Sequence, residues 1–434
     1  MGDRATPHGA PSTLTSPRFV ALVVNHDSGP FALACARSLR HEWWLLGGAE
    51  EDLEIAVWDN GSEREDGCWL QALEAEGARI FASRENFGLA GAIQRLYAQT
   101  TGGPDDYLAI VHPDVMLVPG ALKVLVQYLD GHPEVGIVSP RQVLDEQGQF
   151  QVASPPTPGP LVELRSEIGK LVPRVASMGT DRRWRKILAE LSAEIPFERE
   201  HLTGGFYLMA RQVADDLGHL MDTRFPFTYE EADLCRRVRA RGLSLVVHPR
   251  ALALHACGRS RAAVGEDNLK RRRYISRRSF LSQYANGAER RMLGWIRAWA
   301  ERRTERQLAS GPANAIALGS VDEPPTISLP PAGPWLIEVA RTPDCEPWLT
   351  CMSRGGQWRI QSSSWAWLEP GTYWISARHA STGKRHRIWR LRKASASRME
   401  PIWDPRTLGL GAPSGVAASM VLAGAQAHDM REAA

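Results

Sequence analysis

The chain reads as an α/β domain with a largely parallel sheet, followed by a basic helical segment and a small all-β unit. Three observations predict this. From Phe19 to about Arg250, short apolar runs alternate with amphipathic stretches. Residues 259–306 hold 14 Lys/Arg against 5 Asp/Glu. Residues 326–392 carry short β-rich runs separated by Gly and Pro turn signals.

The elements follow in order. Residues 1–17 read as a flexible tail. The expected strands are Phe19–Val24, Ile55–Trp58, Arg79–Ala82, Tyr107–Val111, Val135–Val138, Phe206–Met209 and Leu243–Val247, each short and mostly β-branched or aromatic. Pro119 ahead of an apolar run predicts a helix opening, since proline in a first turn gives up no needed N–H. Residues 152–200 interrupt the alternation with a rigid loop, Ser154 to Pro160, and a charged helical stretch. An insertion of that size reads as a lid or a partner-binding element.

The basic segment, net +9, contrasts with a whole-chain charge of +3. Within it Met292, Trp295, Ile296 and Trp299 share a predicted helical face, with Arg290, Arg291, Arg297, Arg302 and Arg303 around it. That helix, over 288–303, either lies at a membrane surface or packs on its own domain or on another subunit. Residues 307–325 read as a linker punctuated by Gly311-Pro312 and Pro324-Pro325. Strands are expected at Thr326–Leu329, Trp335–Ala340, Trp348–Met352, Gln357–Gln361, Thr372–Ala377 and Arg387–Leu391, forming a small antiparallel sandwich or barrel. Seven of the 15 Trp lie there, either stacking on sugars or filling a core. Residues 393–434 read as a low-complexity tail.

Composition bounds the function. Lys plus Arg is 52 against 49 Asp plus Glu, a near balance that argues against a nucleic-acid binder. No apolar run approaches the length of a spanning helix. Residues 1–18 hold no apolar h-region, so no secretory signal is expected. The six Cys form no CxxC pair and read as reduced cytosolic thiols. Cys345 and Cys351 are the one pair that a hairpin could bring together.

Chemistry concentrates at the strand ends, where open α/β sheets bind ligands. Asp59, in Asp59-Asn60-Gly61-Ser62, either accepts hydrogen bonds from a ribose or base or caps the next helix. The Asn86-Phe-Gly-Leu-Ala-Gly91 run opens a helix with small residues, as anion sites at helix starts do. His112-Pro113-Asp114 puts a carboxylate at a strand end, where it can hold a divalent cation or simply form a turn. Glu230, Glu231 and Asp233 crowd a helix start, which suits either the macrodipole or a general base. His255 follows an apolar run. No GxGxxG follows the first strand, where Asn25-His26-Asp27-Ser28-Gly29 stands, so a Rossmann oxidoreductase is disfavoured.

As an ordered set these landmarks resemble the GT-A-fold glycosyltransferase family 2, within it a rhamnosyltransferase-like branch, over about residues 18–285. Thr203-Gly204-Gly205, the Tyr229–Arg236 run and Ser260 complete the set. The resemblance implies a GT-A (nucleotide-diphospho-sugar transferase, Rossmann-like) domain over 18–258, followed by a basic helical extension over 259–306 and the β unit over 326–392. It implies an inverting transfer from a nucleotide-sugar donor, dTDP-rhamnose-like or a UDP-sugar, to a bacterial glycan or lipid-linked glycan. Glu231 would be the catalytic base, with Glu230 and Asp233 as supporting acids. Asn25, Asp59, Asn86, Gly88, Gly91, Asp114, Gly204 and Gly205 would bind the nucleotide sugar. Asp114 and His255, with His112 as a further candidate, would hold Mg or Mn. The expected location is the cytoplasm, with peripheral membrane contact through 288–303.

The chain departs from the family pattern at three places, the least of them Ile93-Gln94, where Asn is usual. His112 stands where the metal motif has its first acid, and Glu231 where the base is usually Asp. The departure at His112 keeps a second reading open, a degenerate GT-A domain serving as a binding or scaffold subunit. Oligomeric state is left open by the sequence.

Overall fold

The computed structural model describes residues 17–63, 67–171, 183–258, 265–301, 315–331, 333–342 and 345–395. Of the tails expected over 1–17 and 393–434, residues 1–16 and 396–434 lie outside the described residues, as do Ser260, Arg302 and Arg303.

The first half builds a parallel sheet. It runs β1 (Phe19–Asn25), α1 (Gly29–Leu46), β2 (Leu53–Asn60), α2 (Gly67–Ala75), β3 (Arg79–Ser83), α3 (Gly88–Tyr97) and β4 (Tyr107–Val111). β1 pairs in parallel with both β2 and β4, and β2 with β3. All seven residues of β1 are buried, as a strand covered by helices on both faces must be. Their carboxyl ends, at Asn25, Asn60, Ser83 and Val111, therefore open on one edge.

The middle of the chain closes that edge. It runs β5 (Val115–Leu117), α4 (Ala121–Gly131), β6 (Val135–Val143), β7 (Gln151–Val152), α5 (Pro160–Leu171), α6 (183–191), β8 (Phe197–Glu198), β9 (Phe206–Ala210), α7 (Arg211–Asp216), α8 (Glu230–Arg239) and β10 (Ser244–His255). β9 runs antiparallel between β4 and β6. β10 runs parallel to β6 and then, past a register shift between His248 and Leu252, meets β5 antiparallel. Proline 119 is not in the first turn of α4; Gly120, at φ +89°, holds the N-cap position and the helix starts at Ala121.

The remaining elements are α9 (Glu266–Tyr284), α10 (Gly287–Glu301), β11 (Ile316–Val321), β12 (Thr326–Leu329), β13 (Trp335–Ala340), β14 (Leu349–Ser353), β15 (Gly356–Arg359), α11 (Ser362–Trp367), β16 (Gly371–His379) and β17 (Arg385–Lys393). The β unit differs from the expected free-standing sandwich. β14 hydrogen-bonds to β7, pairing Leu349 with Val152 and Thr350 with Gln151. The long sheet thus runs β11-β17-β16-β13-β14-β7-β6-β9-β4-β1-β2-β3. The edge that β7 would otherwise expose is covered by the C-terminal unit. One core is shared: Val143, Phe150, Leu254 and Ala256 pack with Ile337, Leu349, Trp365 and Trp389. Phe31 of α1 meets Trp367, ring centroids 6.0 Å apart. Losing a buried aromatic at such a seam costs about 3–5 kcal/mol.

Six of the seven Trp in this unit are buried, Trp348 being the half-buried exception. The core use of Trp therefore accounts for most of them. Cys345 and Cys351 are not joined by a disulfide. Part of the expected linker 307–325 is strand: β11 pairs in parallel with β17. β11 is a largely exposed edge strand, so it carries no alternating apolar signature to read.

The insertion is a brace. Glu163 and Glu167 of α5 pair with Arg277 of α9 at 2.6 and 2.9 Å. Trp184 and Ile187 of α6 pack on Leu336 of β13. The face expected on the basic helix is split: Ile296 and Trp299 are half-buried, while Trp295 is 70% and Met292 42% exposed. No helix among the described residues is long and apolar enough to cross a membrane.

Candidate active site

Three strand ends bring His112, Asp114 and His255 together. Val111 pairs with Phe206, so Gly205 sits opposite His112, whose N–H donates to the Gly205 carbonyl at 2.8 Å. His255 pairs with Val115, which puts it beside Asp114. His255 Nε2 lies 3.5 Å from Asp114 Oδ1, and the His112 and His255 ring centroids are 5.7 Å apart. The other Asp114 oxygen accepts from the Gly258 N–H at 2.9 Å.

The three side chains offer two imidazole nitrogens and a carboxylate oxygen within 4.8 Å of one another. His255 Nδ1 lies 2.7 Å from Gln142 Oε1, whose amide nitrogen donates to the Thr203 carbonyl at 3.3 Å. That places the proton on Nδ1 and leaves Nε2 to face Asp114, the arrangement of an oriented metal-binding histidine. The donor set fits a divalent first-row cation.

Glu231 comes from the first turn of α8. The chain enters that helix through Thr228 and Tyr229, both left-handed at φ +65° and +69°. For such residues this backbone is strained, and it persists only where packing fixes it. Here the Tyr229 hydroxyl bonds Glu163, and its ring packs on Phe280 at 4.9 Å. The result aims Glu231 at His112, with Oε1 3.1 Å from Nε2. Burial pushes the Glu231 carboxyl up, but the proximity and charge of His112, with His201 and His255, outweigh it and hold the pKa below the usual value. Its neighbour Glu230 is 6% exposed. Burial, then the charge of Glu231, push its carboxyl up to about 8. Adjacent carboxyls pushed apart in this way have separate protonation states at neutral pH.

Gly204 and Gly205 are where they are for space. A Cβ on Gly204 would overlap the Glu231 carboxylate. Gly205 has φ +127°, and a Cβ there would come within 2.9 Å of His255 Nδ1.

At the other end, Asn25 and Asp59 form a buried knot. Asn25 Nδ2 donates to Asp59 Oδ1 at 3.0 Å, and Ser62 Oγ donates to the same oxygen at 2.5 Å. Asn60 ties this loop to α3, accepting from the Phe87 N–H at 2.9 Å. Asn86 Oδ1 accepts from Gly88 N at 2.9 Å and from Arg272 Nη1 at 2.7 Å.

One cleft of about 630 Å³ joins these parts. Of the residues expected from sequence, Asn86, Gly88, His112, Asp114, Gly204, Glu230, Glu231 and His255 line it. Asn25, Asp59, Gly91 and Gly205 are not among its lining residues. Asp233 differs from the expectation. It is fully buried, bound by Arg237 at 2.7 Å and the Tyr284 hydroxyl at 2.6 Å, and ties α8 to α9 away from the cleft. Its position on α8, two residues past Glu231, turns it away from Glu231.

Four lining or supporting residues carry no sequence signal. Gln142 orients His255, Arg272 holds Asn86, and Arg341 and Trp348 come from the C-terminal unit. The β7–β14 pairing and the shared core bring the last two to the cleft, and nothing in their local sequence announces it.

Residues 21–218 match the family described as "Glycosyl transferase family 2". This is a glycosyltransferase domain. The match ends before Glu231, so the α8 acids and the C-terminal unit lie outside it. No curated protein matches the chain significantly. Among solved structures, the chain is similar to the mannosyltransferase PcManGT from Pyrobaculum calidifontis, in complex with GDP-Man and Mn²⁺. Identity is 15%, over 68% of this chain and 78% of that one, with a TM-score of 0.38. It is also similar to GalNAc-T7 with UDP, GalNAc and Mn²⁺, at 13% identity over 88% and 80% of the two chains and a TM-score of 0.39. A third is TarS 1–349 of S. aureus, at 11% identity over 65% and 78% and a TM-score of 0.36.

Proposed function

We propose that this glycosyltransferase domain transfers a sugar from a nucleoside diphosphate donor to a hydroxyl of a glycan acceptor, with inversion. The observation that carries the reading is the Glu231 carboxylate, its pKa held low, standing in the cleft beside the His112–Asp114–His255 group. Glu231 takes the proton of the acceptor hydroxyl as that oxygen bonds to the anomeric carbon. The bond from the anomeric carbon to the diphosphate breaks on the opposite face, so one displacement inverts the centre. One base without a second nucleophilic carboxylate fits this better than the paired-acid plan of hydrolases. Glu230, held protonated, serves as a hydrogen-bond donor beside the base.

His112, Asp114 and His255 would hold the cation, Mg²⁺ or Mn²⁺. When bound, it supplies charge stabilisation to the departing diphosphate. Asn86 and Gly88 line the nucleotide end, backed by Asn25, Asp59 and Gly91. Gly204 and Gly205 let the sugar and acceptor approach the base. A dTDP-linked deoxyhexose is the donor favoured by the branch resemblance, with UDP-sugars as the alternative.

A lipid-linked acceptor and peripheral membrane contact are supported by an exposed apolar cluster on α9 and α10. Tyr274, Ile275, Met292 and Trp295 are all exposed beside Arg271, Arg278 and Arg291.

The test is nucleotide release from a panel of dTDP-, UDP- and GDP-sugars, with and without Mg²⁺ or Mn²⁺. Cation-dependent release from one donor, lost in Glu231→Gln, is the expected result. No binding of any donor in a parallel titration would overturn the reading in favour of a scaffold subunit.

A further inference from the structure

We infer that Arg341, carried into the cleft by the C-terminal β unit, is the binding residue for an anionic group on the acceptor, a phosphate or a carboxylate. This deepens, and rests on, the reading of the cleft as a glycosyl-transfer site.

Two arginines line the cleft among the described residues. Arg272 commits both terminal nitrogens to Asn86, at 2.7 and 2.8 Å. Arg341 does not have such partners. Its Nε and Nη2 make no hydrogen bond within the described residues, and the Glu369 carboxylate comes only to 3.9 Å of Nη2. The guanidinium is fixed instead by stacking, 3.5 Å above the Trp348 ring centroid. The other carboxylate on this wall, Glu346, is already paired with Arg183.

Besides Thr342 and Glu346, the cleft near Arg341 has an apolar lining. Val152, Ala153, Pro155, Pro156, Pro347 and Trp348 line the same wall. A rigid guanidinium, 24% exposed, in a cleft wall of that kind acts at low effective dielectric, where one charge recognises its opposite strongly. Ligand sites have this form, an apolar lining with a few placed polar groups.

Position separates this cation from the donor. In the sheet β14, which follows Trp348, stands six places from β2, which carries Asp59 and Asn60. At about 4.8 Å per strand that is roughly 29 Å along the sheet. β4 and β9, which His112 and Gly205 flank, lie between. A donor held with its base near β2 and its diphosphate near Asp114 leaves Arg341 on the far side, where the acceptor enters.

The test uses the full chain and three small probes, glucose, glucose 6-phosphate and glucuronate. Each is titrated at low salt with and without UDP, dTDP or GDP plus Mn²⁺. Wild type should bind the two anionic probes at least about tenfold more tightly than glucose. Arg341→Ala and Arg341→Gln should lose that preference, and Arg341→Lys should keep part of it. Circular dichroism on each variant confirms folding, and the lysine variant reads on charge even where the alanine variant unfolds. No preference in wild type, or the same preference in Arg341→Gln, would overturn the inference. So would a drop in nucleotide affinity in Arg341→Gln with the saccharide preference intact, which would assign the cation to the donor diphosphate. Failure of the transferase reading shows separately, as wild type binding none of the three nucleotides.

Discussion

Glu231 Oε1 stands 3.1 Å from His112 Nε2, so the proposed base is in direct contact with a proposed metal ligand. His112 replaces an acid of the family pattern, and an imidazole there attracts the Glu231 carboxylate where an acid would repel it. His112 is the main influence holding the Glu231 pKa down against burial. Removing it by His112→Ala should raise that pKa, moving the acidic limb of the pH–rate profile to higher pH, and should weaken Mn²⁺ binding. Both are read from one set of kinetics over pH and Mn²⁺ concentration. An unmoved acidic limb would detach His112 from the base.

Gly204→Ala places a methyl group in the space of the Glu231 carboxylate. The side chain has to leave its position, and a misplaced base costs on the order of 10²-fold in rate. Donor affinity should stay near wild type. Kinetics and a donor titration on the same preparation check this; full activity in Gly204→Ala would mean that Glu231 has other productive positions.

Glu230 gives a stability prediction with a definite sign. Its folded pKa, about 8, lies above the value of about 4.5 for the free side chain. Below that lower value the folded state loses nothing. As pH rises towards 8 the unfolded chain ionises first, and stability falls by about 1.4 kcal/mol per unit. Glu230→Gln removes the titration. Thermal melts from pH 5 to pH 9 should therefore show the variant gaining on wild type as pH rises. Parallel curves would contradict the buried, protonated carboxyl.

Much of this was legible in the sequence, and for physical reasons. The strands of the parallel half are buried on both faces, so their apolar runs are unbroken, as at Phe19–Asn25. His112, Asp114, Gly204, Glu231 and His255 sit at strand ends or at a helix start, where local pattern marks them. Asp233 was misread because composition at a helix start does not say which way a side chain turns. The union of the β unit with the main sheet was also not legible. It rests on the β7–β14 pairing and a shared core, between residues nearly 200 apart in sequence. Arg341 and Trp348 enter the cleft through that union, so their roles were hidden with it.

The exposed cluster on α9 and α10 makes a prediction about membranes. Trp295 and Met292 project beside Arg291, the pattern of a helix that dips into an anionic headgroup layer. The protein should co-sediment with anionic vesicles at low salt, and Trp295→Ser with Met292→Ser should abolish it. No vesicle binding by wild type under those conditions would retire membrane contact through this face.

The central claim is that Glu231 is the base of a glycosyl transfer. Its most direct test is a comparison of wild type with Glu231→Gln, the donor identified by nucleotide release being titrated and turned over on both. The amide keeps the shape of the side chain and removes only its capacity to take a proton. Donor affinity should remain within about threefold, and turnover should fall by at least about 10². Near-wild-type turnover in Glu231→Gln would contradict the account.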